Sequence, residues 1–129
     1  MAIRRRAANG WRGTVADRLA RRNEFEALVE RALEDLPPEA ARALENVGIV
    51  VEDRGPRDLL GLYEGIPLTE RDGGYAGVLP DVITLYREAI EAKARTEAER
   101  VREIRTTVLH EIAHYFGIDD NRLHELGWD

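Results

Sequence analysis

Apolar residues recur along this chain first at helical spacing, then in short β-branched runs, then at helical spacing again. Phe25, Leu28, Val29, Ala32, Leu33 and Leu36 fall three and four apart, which predicts a helix. Asn23, with Glu26 three residues on, forms a capping box that sets its start. Pro37-Pro38 ends it, and Pro38 can begin a second short helix through Glu39 to Asn46. The run VGIVVEDR, residues 47–54, reads as a strand. Residues 55–80 are rich in glycine and carry Pro56, Pro67 and Pro80, predicting loop with one short strand near LLGLY. DVITLYR, residues 81–87, alternates as a strand does, with Val82, Thr84 and Tyr86 on one face.

The last long element has the clearest ends. Thr96 and Glu99 make a capping box, Gly117 sits where a helix stop belongs, and about 20 residues between them lack glycine and proline. Val101, Ile104, Val108 and Ile112 form one stripe on this helix, flanked by Leu109 and Phe116. His110 and His114 lie roughly opposite, about 180–220° from Val101 on an ideal wheel. A short closing helix around Asp120 to Leu126 completes the chain.

Composition narrows the class. The chain has 129 residues, 43% hydrophobic and 34% charged, enough for one domain with its own core. The absence of cysteine excludes thiol catalysis, thiolate-bound zinc and a disulfide framework. No apolar run approaches a membrane span, and the basic start lacks the apolar core of a signal peptide, so a cytoplasmic location is expected.

The net charge of -6 hides an asymmetry. Residues 1–22 carry seven arginines against Asp17, whereas residues 23–129 carry 12 basic and 24 acidic side chains. The expected organisation is a basic N-terminal arm over 1–22 and a folded domain over 23–129. Such an arm can touch nucleic acid, an anionic membrane or the protein's own acidic surface. With Trp11 its lone aromatic, the arm carries no strong nucleic-acid signal.

The chemistry gathers near the end. His110-Glu111-Ile112-Ala113-His114 matches HExxH on a helix, and residues four apart lie one turn above each other. Both imidazoles can then face one ion while the apolar stripe anchors the helix. Gly117 and Asp120 extend the pattern to HExxHxxGxxD.

The segment HEIAHYFGIDD resembles the zinc signature of zincin metallopeptidases whose third ligand is aspartate. TTVLHEIAHYFGIDDNRLHELGW, with LLGLYEGIPL and LPDVITLYR upstream, is similar to a family of small bacterial zincin-like proteins. The resemblance covers residues 23–129. It implies an α+β fold, a minimal zincin-like domain with helices on a small mixed sheet and an edge strand beside the HExxH helix. DVITLYR would be that edge strand, open to an extended peptide.

The resemblance further implies a zinc-dependent metallopeptidase, a hydrolase acting on a peptide or protein substrate. His110, His114 and Asp120 match the metal ligands, Glu111 the general base, and Gly117 the glycine of the turn. Glu125, His124 and Asp119 remain rivals to Asp120. Larger enzymes with this signature carry a methionine turn under the metal, but here the only methionine is Met1. Leu126 or Trp128 would close that floor instead. The loop RDGGYAG, residues 71–77, could cover the cleft, and Tyr75, Tyr86 and His124 are candidate oxyanion stabilisers. A rival reading is a metal- or peptide-binding module without significant turnover; a regulatory protein acting through its arginine arm is a third. An exposed edge strand also leaves a homodimer open.

Overall fold

Eight elements follow one another in the computed structural model, which describes residues 13–65 and 81–129. They are α1 (Val15–Glu34), α2 (Pro38–Ala43), β1 (Val47–Glu52), β2 (Gly61–Glu64), β3 (Asp81–Tyr86), α3 (Arg87–Lys93), α4 (Glu97–Tyr115) and α5 (Asp120–Leu126). The result is a small α+β domain with a three-stranded mixed sheet. Among the described residues, no helix is long and apolar enough to cross a membrane.

The first helix begins at Val15, not near Asn23. Thr14 and Asp17 form the capping box that Asn23 and Glu26 were expected to supply. The apolar periodicity starts only at Phe25, but residues 15–24 contain no glycine or proline, so the helix extends outward on polar residues. The expected boundary at 22/23 therefore falls inside α1. Arg18 pairs with Asp53 at 3.9 Å, and the Arg22 guanidinium donates to the Val51 carbonyl of β1. This stretch of the arginine-rich segment lies against the protein's own body. Residues 1–12 lie outside the described residues.

Strand order is β1-β3-β2, with β1 parallel and β2 antiparallel to β3. DVITLY is thus the central strand, which corrects its expected place at the edge. Ile83, Thr84, Leu85 and Tyr86 are all buried, so both faces of this strand are covered and its alternation does not mark an exposed side. The edge strand beside the HExxH helix is β2.

The core joins Phe25, Leu28, Val29 and Ala32 of α1 to Ile104, Val108, Leu109 and Ile112 of α4, with Ile83 and Leu85 of β3 beneath. Leu123 and Trp128 close it from the C-terminal side, and Leu126 packs against it. Burial of each such large side chain contributes about 1.5–3 kcal/mol. The expected stripe on α4 is therefore the core-facing one, with Val101 half-buried at its start and Phe116 56% exposed at its end. It caps the helix end and meets the Tyr115 ring edge-on.

Candidate metal centre

Both ends of α4 are held by local chemistry. Thr96 accepts from the Glu99 N–H while Glu99 accepts from the Thr96 N–H, so two otherwise unpaired donors are satisfied. At the other end Gly117 is left-handed at φ 73°. The Ile118 N–H donates to the Ala113 carbonyl and the Gly117 N–H to the His114 carbonyl, a Schellman stop. These ends set where the HExxH turn faces.

His110, Glu111 and His114 line one open groove of about 320 Å³ between α4 and the chain entering β2. Asp58, Leu60 and Gly61 line its other side. The two imidazole centroids are 6.1 Å apart with planes tilted by 42°. Imidazoles sharing one tetrahedral zinc, with Zn–N near about 2.0–2.1 Å, have centroids roughly 5 Å apart. The observed separation is about 1 Å longer than that spacing. His110 is half-buried and His114 exposed, so each can reorient.

The carboxylate between them is already held. The Tyr63 N–H donates to Glu111 Oε1 at 3.0 Å. That amide faces away from the sheet: the Tyr86 N–H donates to the Leu60 carbonyl, and the antiparallel alternation then turns the main-chain groups of Gly61 and Tyr63 outward. Gly61 lets the strand pass this close to α4.

Asp120 is the first residue of α5 and is exposed, while Asp119 caps that helix by accepting from the Arg122 N–H at 2.8 Å. Glu125 pairs with Arg122 at 3.1 Å. His124 Nδ1 lies 2.9 Å from Asp129 Oδ2. Among the described residues, no three His, Asp or Glu side chains are gathered closely enough to hold an ion. His110, Glu111 and His114 thus line one groove, and among the described residues no third side chain completes a metal-holding set with the two imidazoles.

Tyr86 lies away from the groove. Gly61 opposes Leu85 and faces Thr107 of α4, so the next residue, Tyr86, turns to the other face of the sheet. Tyr75 and the loop 71–77 lie outside the described residues. Three groups near the site carry no motif. Thr107 lines the groove, and its hydroxyl is buried without a hydrogen-bond partner among the described residues. Asp58 lines it from the turn before β2. Asp129 sits near enough to His124, and less strongly to His110, that both hold its carboxyl below its ordinary value.

The sequence pattern of a family described as zincin-like metallopeptidase matches residues 32–128. No curated protein matches the chain.

Proposed function

The chain belongs to the zincin-like metallopeptidase family, and from that premise we propose that it hydrolyses peptide bonds with zinc, using Glu111 as the general base. One observation carries this reading. Two imidazoles and the carboxylate between them open into a single groove beside the outward-facing main chain of a strand.

His110 and His114 would hold the metal, joined by Asp120, whose support is its place in HExxHxxGxxD beyond the left-handed Gly117. Zinc bound there supplies Lewis acidity and a water acidified toward a pKa of about 7. An extended peptide can lie along β2, pairing with the outward groups that Glu111 leaves open, the Gly61 N–H and the Gly61 and Tyr63 carbonyls, and placing a carbonyl in the groove. Glu111 then takes a proton from the attacking water and delivers it to the leaving amine.

The lack of three gathered donors among the described residues favours a second reading, a metal- or peptide-binding module with no significant turnover. Zinc-loaded protein on a broad peptide library, beside Glu111→Gln, tests the two. Hydrolysis by the wild type and a loss of about 10²–10⁴-fold in the variant, at equal zinc content, supports the peptidase. Equal behaviour supports the binding module.

A further inference from the structure

A glutamate on a helix surface has three rotatable bonds, and the base of a hydrolytic site must keep its carboxylate in one place. Among the described residues, the hydrogen bond that holds the Glu111 carboxylate comes from β2, 48 residues earlier in the chain. We propose that Tyr63 is a positioning residue, whose main-chain N–H holds the Glu111 carboxylate in the groove. The assignment rests on the reading of Glu111 as the base.

Tyr63 is itself fixed on several sides. Its neighbours Leu62 and Glu64 pair with Thr84 and Val82 in the ladder, leaving the Tyr63 amide the outward one. Its ring stacks on Tyr115, with centroids 4.1 Å apart and planes within 18°. Its hydroxyl donates to Asp81 Oδ2 at 2.8 Å. Tyr115 follows Glu111 by four residues, so one helical turn presents both a carboxylate for the amide and a ring for the ring. The strand residue is gripped twice by the same helix face. Tyr115 and Asp81 therefore act on the base through Tyr63, without touching the groove's reacting atoms.

The first experiment needs neither metal nor substrate. Amide hydrogen exchange by NMR on the metal-free full chain should show Tyr63 protected, though its N–H points away from the sheet. In Glu111→Ala that protection should fall at least tenfold, while Leu62 and Glu64 keep theirs. An unchanged Tyr63 rate in Glu111→Ala overturns the proposal, as does parallel loss across all three amides, which would mean the strand itself has come loose. The second experiment is kinetic. Tyr115→Ala should lower kcat by about 10- to 100-fold with KM and zinc content unchanged, and Tyr115→Phe, which keeps the stack, should restore it. A fall in zinc content or a rise in KM alone overturns the positioning role. If the protein proves to have no turnover, the exchange experiment still decides whether Tyr63 holds Glu111, so the two readings fail separately.

Discussion

Gly61 approaches Thr107 so closely that a β-carbon at position 61 would lie 2.7 Å from the threonine Cγ2 and 3.1 Å from the Thr84 carbonyl. At this contact β2 presents its one residue without a side chain to the HExxH helix. Gly61→Ala should therefore push β2 off α4 and cost about 1–3 kcal/mol, the usual range for overpacking. Urea unfolding checks this, and Thr107→Ser in the same chain should return part of the loss by removing the methyl group. A Gly61→Ala protein as stable as the wild type would contradict the close approach.

Metal binding should depend on both imidazoles. His110→Ala or His114→Ala should abolish stoichiometric zinc, because a single remaining imidazole cannot complete a catalytic site. Metal content of protein dialysed against zinc is the measurement. Stability in metal-free buffer should change by less than about 1 kcal/mol, since neither ring belongs to the core. Full zinc content in both variants would remove the metal reading.

The third ligand separates two branches of chemistry. Asp120→Ala should weaken zinc binding severely, and Glu125→Ala should leave it nearly intact. Gly117→Val should mimic Asp120→Ala: nothing lies within 4 Å of an added Cβ there, so the penalty is the left-handed backbone alone. Calorimetric titration of the three variants decides. Loss in Glu125→Ala with retention in Asp120→Ala would assign the ligand to glutamate.

Acid should weaken the helix ends. The Glu99 carboxyl accepts from the Arg95 and Thr96 N–H groups, which hold it below its ordinary 4.5. Asp17 is held below its ordinary 3.8 first by the Thr14 N–H and then by the Thr14 hydroxyl. A carboxylate depressed on folding adds stability that is complete above its unfolded value and is lost as pH falls through its folded one. Stability should thus decline from about pH 4.5 downward, and Glu99→Gln should flatten part of that decline. Identical slopes in chemical denaturation from pH 6 to pH 3 would contradict this.

Arg87 is 1% exposed and binds Asp53 at 3.1 Å and Glu91 at 2.9 Å, with its Nη2 3.6 Å from a Glu88 oxygen. Removing the cation empties a buried position and leaves Asp53, Glu88 and Glu91 only their more exposed partners Arg18, Arg54 and Arg100. Arg87→Ala should cost roughly 3 kcal/mol or more, by thermal or chemical unfolding. A loss below about 1 kcal/mol would mean that the network contributes little.

What was legible in the sequence was what local chemistry specifies. Thr96, Glu99 and Gly117 sit at the ends of α4 as expected, and Asp120 to Leu126 forms the closing helix. The division of α4 into a buried stripe and a histidine face follows from a period that needs no partner to be read. The position of DVITLY was not legible, because centre and edge are decided by pairing with segments far along the chain. Its nearly unbroken apolar character, through Val82, Ile83, Leu85 and Tyr86, was the available hint. The start of α1 was misplaced because the apolar repeat begins later than the helix, although Thr14 and Asp17 carried the cap signal. The grip of Tyr63 on Glu111 joins a backbone donor to a side chain 48 residues away, and no spacing rule reaches that far.

The order of the strands has a consequence for how the chain is made. Among the described residues, β1 and β2 do not pair with each other; each pairs only with β3, which is synthesised after both. At about 5–20 residues per second, the ribosome releases two strand-forming segments seconds before their common partner exists. Until residues 81–86 emerge, their backbone groups are open to other chains. A nascent chain halted after both segments have emerged, but before residues 81–86 have, is therefore more open to aggregation than the finished domain.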